Sequence, residues 1–340
     1  MEVIVIKKIL FWLCVFALAA GALSVNAHAQ GCTVPWTSGW NYLLNPPPKG
    51  AFNCYSPGPF LENCQVMSTN CPPSGGRKEI CPRCDSAGSP ISLATGNTWI
   101  EQTDVRVPGL SGGLKLVRTW NSIWPSTQMA FQVGMFGPNW RSTFEERVFV
   151  GDDNYIKYAR GDGSFWSFGY TSGSYGLAAP QDTSATLTTG SAYWTLTFQN
   201  GEQRRFDNTS GSLTAVIDRN GNTTLLSYDG LNRLVTVTDP ASRTLTFTYQ
   251  SPSSYLVTGV SSSVGISLTY AYDTQNRLSQ VTNPDLTTLT FAYDSQSRII
   301  SVTDSDNKII ESHTYDNGGR GVTSSRALGV EAVTLSYPNP

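Results

Sequence analysis

Tyr272-Asp273-Thr274-Gln275-Asn276-Arg277-Leu278 decides the fold, because this stretch recurs along the chain. It returns as Tyr228-Asp229-Gly230-Leu231-Asn232-Arg233-Leu234, as Tyr293-Asp294-Ser295-Gln296-Ser297-Arg298-Ile299, and as Tyr315-Asp316-Asn317-Gly318-Gly319-Arg320. Degenerate members stand at Phe206-Asp207, Tyr249-Gln250 and Tyr337. The aromatic anchors at 206, 228, 249, 272, 293, 315 and 337 are spaced by 22, 21, 23, 21, 22 and 22 residues. Self-similarity at such a period marks units that bury their faces only by stacking on one another.

Each unit reads as two strands. Ahead of the anchor, Leu245, Phe247 and Tyr249 alternate with Thr244, Thr246 and Thr248, and the pattern repeats at Leu268/Tyr270/Tyr272 and Leu289/Phe291/Tyr293. A period of two puts the rings on one face and the hydroxyls on the other, which is a half-buried strand. A polar turn follows the Tyr-Asp pair, then a second apolar run such as Arg233 to Thr238, then a turn at Asp239-Pro240. The expected fold is all-β, an antiparallel sheet of repeat hairpins over 206–340 preceded by a β-rich domain over 88–205. Gly161-Asp162-Gly163 and Asn220-Gly221 read as hairpin turns.

Composition supports this reading. Charged residues make up 14% of the 340 residues, well under the usual quarter, while Gly (31) is plentiful. Lys and Arg (23) nearly balance Asp and Glu (25), so the chain lacks the basic field that nucleic acid demands.

Upstream, the chain changes character. Lys7 and Lys8 precede an apolar run from Ile9 to Ala20, and Ala27-His28-Ala29 supplies small residues at −3 and −1. Residues 1–29 therefore read as a secretory signal peptide cut after Ala29, the run being short for a membrane span. The expectation is a secreted or cell-surface protein with no stable membrane insertion after cleavage. Residues 30–87 hold Cys32, Cys54, Cys64, Cys71, Cys81 and Cys84, and ten of the 19 prolines lie between Pro35 and Pro90. An even cysteine count in an exported, Pro-rich segment favours three structural disulfides of unassigned pairing. Cys81-Pro82-Arg83-Cys84 leaves zinc or redox chemistry as alternatives. The six residues between Cys64 and Cys71 suit a zinc knuckle poorly, and no strand–helix frame surrounds the C-x-x-C.

Catalytic signals are sparse. The chain has two histidines, His28 and His313, and no G-x-S-x-G, P-loop or H-E-x-x-H motif. His313 and Glu311 occupy the inward register of a repeat strand, about 7 Å apart, where they could form an acid/base pair or merely mark a decayed repeat. No catalytic residue, cofactor or metal site is expected, and the chain reads as a non-enzyme. Arg233, Arg277, Arg298 and Arg320 recur five residues after Tyr, so Asp229, Asp273, Asp294 and Asp316 are expected to pair with them at the turns. Trp99, Trp120, Trp124, Trp140, Trp166 and Trp194 read mainly as core, with glycan contact as the alternative.

These motifs are similar to the start of an Rhs-type protein, the tyrosine-aspartate (YD) repeat family. The Y-D-x-x-x-R-[LI] units at Tyr228, Tyr272 and Tyr293 carry the resemblance, and Gly321 departs from it in the fourth. Gly88-Ser89-Pro90-Ile91-Ser92-Leu93-Ala94-Thr95-Gly96-Asn97, Leu116-Val117-Arg118-Thr119-Trp120-Asn121-Ser122 and Phe136-Gly137-Pro138-Asn139-Trp140-Arg141 resemble the uncharacterised domain that precedes such repeats. The resemblance implies a spiral β-sheet shell around a C-terminal domain, often a toxin. Twelve strands about 4.8 Å apart make a ribbon about 58 Å wide, closing to about 18 Å across. A 100-residue cargo, roughly 30 Å across, would not fit. The expected role is thus a shell segment whose partner is absent C-terminal shell or toxin sequence, or another chain. A glycan- or protein-binding surface module is the alternative.

Overall fold

The computed structural model describes residues 23–25, 86–93, 95–124, 132–151, 155–171, 174–179, 185–330 and 332–337. The six cysteines from Cys32 to Cys84 and the cleavage site after Ala29 lie outside the described residues. So does the leader over 1–29, apart from Leu23–Val25.

Alternation makes the strands. In Thr244–Tyr249, Leu245 and Phe247 are buried while Thr246 and Thr248 are exposed. The same holds in Ser267–Tyr272, where Leu268 and Tyr270 are buried and Thr269 and Ala271 exposed. Second strands follow another rule: Leu234 and Val237, Leu278 and Val281, and Ile299 and Val302 are buried three apart. A β-bulge explains the odd spacing. Tyr228 faces Leu234 while Ser227 faces Thr236, so Val235 is an extra residue that returns Leu234 and Val237 to one face.

The four turns that follow a Tyr-Asp pair share one geometry. The fourth loop residue adopts the left-handed region: Asn232 (φ 58°), Asn276 (φ 60°), Ser297 (φ 64°) and Gly319 (φ 82°). Asn and Gly bear that conformation at low cost, which is why they recur there.

These hairpins join into one 20-stranded sheet. From Arg147–Val150 onward each strand pairs antiparallel with the next, through Gln203–Asp207 and Gly321–Arg326 to Val333–Leu335. Leu23–Val25 adds a parallel strand beyond Val333–Leu335. The sheet therefore runs without a break across the 205/206 division read from the sequence. It also curls back on itself. Arg147 bridges Ser212, and the Val148 amide donates to the Gly211 carbonyl at 2.9 Å, so the first strand meets the turn entering Leu213–Ile217. Among the described residues the only helical turns are two short 3-10 segments, Leu110–Gly112 and Ala327–Gly329.

Outside the large sheet, the described residues between 86 and 146 form small sheets of their own. Trp99–Val107 and Leu114–Asn121 form a hairpin, and Trp140–Ser142 adds a third strand. The apolar side chains here, among them Ile100, Leu116, Trp120, Phe136 and Trp140, share one core with the inward residues of the repeats from Leu226 to Val302. The curved sheet is thus filled by the chain's own leading domain. Trp120, Phe136 and Trp140 are wholly buried, and rings of that size contribute about 1.5–3 kcal/mol each by leaving water.

Candidate functional site

Two sets of contacts define how this assembly is held, one between units and one between the ribbon and the leading domain. Within a unit, the Asp carboxylate closes its own turn. Asp273 Oδ1 accepts from the backbone N–H groups of Gln275 and Arg277, and Oδ2 accepts from Arg277 Nε at 2.6 Å. Asp229–Arg233, Asp294–Arg298 and Asp316–Arg320 repeat the arrangement at 2.6–2.7 Å. The Arg233 guanidinium, then its backbone N–H, hold the Asp229 carboxyl below its ordinary range. For Asp273 and Asp316 burial pulls upward, and the same hydrogen bonds outweigh it.

Between units, the arginine lies over the ring of the next tyrosine. Arg233 sits 4.5 Å above Tyr249, Arg277 4.7 Å above Tyr293, Arg298 4.8 Å above Tyr315 and Arg320 4.4 Å above Tyr337. Each tyrosine then donates its hydroxyl backward. Tyr249 bonds the Leu234 carbonyl, Tyr272 that of Val257, Tyr293 that of Leu278 and Tyr315 that of Ile299, all at 2.6–2.8 Å. Burial pushes the Tyr272 and Tyr315 phenols well up, so they remain donors. Sequence periodicity located these residues. It did not reveal that the recurring spacing serves the neighbouring unit as much as its own.

The inner wall receives the leading domain ring by ring. Phe144 meets Phe247 edge-on at 6.5 Å, Phe136 tilts against Tyr270 at 4.8 Å, and Trp140 meets Phe291 edge-on at 5.3 Å. At the centre is Arg118, wholly buried and paired with Asp104 through Nε and, at 2.8 Å, through Nη2. Its guanidinium lies 4.7 Å from the Trp140 ring centre and 5.4 Å from those of Phe136 and Tyr270. Tyr270 completes the cluster by donating to Asp104 Oδ2 at 2.7 Å. Burial pulls the Arg118 pKa down, and Asp104 outweighs it, so the guanidinium stays above its ordinary value.

Two more contacts fix the ends. The hairpin tip gives its Pro108 carbonyl to Arg243 Nη2 at 2.9 Å, and Asp239 Oδ2 accepts from the same guanidinium. Residues 89–93 and 95–98 lie along the fourth unit. Gly321 N donates to Gly96 O at 2.8 Å, Ser89 N to Ser324 Oγ at 2.8 Å, and Arg326 Nε to Ser89 Oγ at 2.9 Å.

His313 is buried on this wall, 2.9 Å from Glu311 Oε1 through Nε2. The structure brings that pair together, and its Nδ1 is buried without a hydrogen-bond partner. Ser324 faces His313 from the neighbouring strand, with its hydroxyl bonded to the Ser89 backbone. Among the described residues no cluster of His, Cys, Asp and Glu could hold a metal, and no helix is long and apolar enough to cross a membrane. Trp99, Trp120, Trp124, Trp140 and Trp166 are buried, and Trp194 is partly so.

A family model described as a domain of unknown function, DUF6531, matches residues 88–168, and the RHS Repeat model matches 208–250 and 272–309. No curated protein matches the chain. Among solved structures, the crystal structure of TcdB2-TccC3-Cdc42 is 13% identical, covering 67% of this chain and 14% of that one at a TM-score of 0.29. The Photorhabdus luminescens Tc holotoxin pore, carrying a TccC3 point mutation, is 15% identical over 72% of this chain and 14% of that one, at a TM-score of 0.31. The chain spans about 14% of the length of those solved chains. A DUF6531 domain thus leads into RHS repeats, and the chain resembles the N-terminal part of the Rhs/YD-repeat proteins.

Proposed function

We propose that this chain is a non-catalytic shell segment of an exported Rhs-type protein, serving to enclose and deliver a toxin or effector when joined to C-terminal sequence or to another chain. One observation carries the structural part of the reading: the inward face of the ribbon is spent on packing, from Phe247 through Phe291, against the chain's own leading domain, so any enclosed tail must lie within further sequence. A wall committed in this way supports a scaffold rather than an active site. The Glu311–His313 pair faces Ser324 across the strand pair, and that hydroxyl is already committed to the Ser89 backbone, which supports the non-catalytic reading. Export rests on the Lys7-Lys8 and Ile9–Ala20 leader.

The test is protease protection. The chain would be expressed with its natural downstream sequence, and limited proteolysis would compare that tail with the same tail expressed alone. A shell role requires protection of the tail by at least tenfold in cleavage rate. Equal cleavage rates would remove the enclosing role, and an unprocessed amino terminus in the exported fraction would remove the leader.

A further inference from the structure

We infer that the places where the repeats break their own pattern are the address at which the leading domain docks. A repeat ribbon offers near-equivalent inner sites every two strands, a step of about 9.6 Å. Apolar contact alone cannot choose among them, since Leu and Phe or Tyr line successive units alike. Discrimination needs positions that differ from unit to unit, and it needs the wrong registers to be penalised.

Four departures meet that need, and each touches the leading domain. The inward aromatic is Phe247 and Phe291 in the flanking units but Tyr270 between them, and only the Tyr270 hydroxyl can donate to the Asp104–Arg118 pair. The fifth residue of the second turn is Asn222, Ile266, Thr287 or Lys308 elsewhere but Arg243 here, and Arg243 holds the hairpin tip through Pro108. The residue after the repeat arginine is Leu234, Leu278 or Ile299 elsewhere but Gly321 in the fourth unit. A Cβ at Gly321 would collide with Thr98 and come within 3.0 Å of Ile91, so those two side chains fill the space a sister unit gives to its own aliphatic residue. Finally, Val237, Val281 and Val302 give way to Ser324, whose hydroxyl accepts from Ser89 N and donates to Ser89 O.

A slip of one unit would be penalised at each of the four. Asp104 would face a phenylalanine, Pro108 would lose its cation, and Ile91 would meet Ile299. The Ser89 backbone would meet a valine. The departures thus work both as contacts and as exclusions. They assign the fourth unit the task of receiving residues 89–98 and the Arg243–Tyr270 region the task of receiving the hairpin.

Hydrogen exchange by mass spectrometry on the full chain tests this inference. Replacing Gly321→Leu and Ser324→Val installs residues that sister units already carry, so the ribbon should hold. We expect amides of 89–98 to exchange at least tenfold faster, with strands from Thr244 to Thr303 unchanged. Tyr270→Phe with Arg243→Thr should instead release the hairpin tip around 106–115. Unchanged protection of 89–98 in the first variant would overturn the inference. So would equal release of both segments by Leu278→Val, a packing change at a position that follows the pattern. Collapse of the fourth unit in both Gly321→Leu and Ser324→Val as single variants would overturn it too, because consensus residues would then be unfit there for reasons other than docking.

Discussion

Arg277 lies 4.7 Å over the ring of Tyr293 while its Nε donates to Asp273 at 2.6 Å, so one guanidinium serves two successive units. Its Nη1 also donates to the Asp294 carbonyl at 3.3 Å, the turn beneath that tyrosine. The strength of the ribbon is therefore distributed among modest, repeated links.

Arg277→Ala should lower stability by about 1–2 kcal/mol, combining a partly exposed cation–π contact with charge-assisted hydrogen bonds. Lysine should recover less than half, because it cannot lie flat on a ring and reach Asp273 with a planar fork. A thermal melt of Arg277→Ala that overlays the wild type would refute the linking role.

Tyr272→Phe removes the backward hydrogen bond to Val257 together with a longer one to the Met135 carbonyl at 3.5 Å. It leaves the ring in place and strands the Val257 carbonyl, which Tyr272 meets at 2.6 Å. The expected loss is about 1 kcal/mol by urea denaturation with an unchanged m-value. An unchanged midpoint would show that the hydroxyl contributes nothing to stability.

Asp104→Ala should be the most damaging of these substitutions, at about 3–5 kcal/mol, since it leaves the buried Arg118 charge without its partner. Replacing both residues, Asp104→Leu with Arg118→Met, should cost less than the single change. If the double variant is worse, the pair holds more than its own charge balance.

Leu286→Asn should stabilise. Leu286 is 80% exposed and holds φ at 66°, a conformation that costs a branched side chain about 1–2 kcal/mol. Asn276 and Asn307 carry the same turn position in neighbouring hairpins. A gain of about 0.5–1 kcal/mol is expected, and a lower melting temperature would contradict the turn analysis.

Acid should loosen the turns. Asp229, whose carboxyl is depressed first by the Arg233 side chain, contributes stability above its unfolded value of about 3.9 and loses it as pH falls through the lower folded value. Denaturation midpoints should hold from pH 7 to about 5 and decline below about 4. Asp229→Asn should flatten that decline, and an equally steep acid limb in the variant would assign it to other carboxylates.

Much of this molecule was legible in its sequence. Anchor spacing and the Thr/Leu alternation from Thr244 to Tyr249 set strand, turn and face, because period-two burial is a local property of the chain. The Asp229–Arg233 pairing was likewise readable, since both residues belong to one turn. The three-residue burial spacing of Leu234 and Val237 was not, because a bulge is fixed by the partner strand.

Only the tertiary structure decided what the ribbon encloses. Gly321, Ser324 and Arg243 look like decay along the repeat, yet they face Thr98, Ser89 and Pro108, more than a hundred residues earlier. Periodicity reports what neighbouring units share. Packing between distant segments is recorded in what they do not share, and that becomes readable only when the chain has folded both into contact.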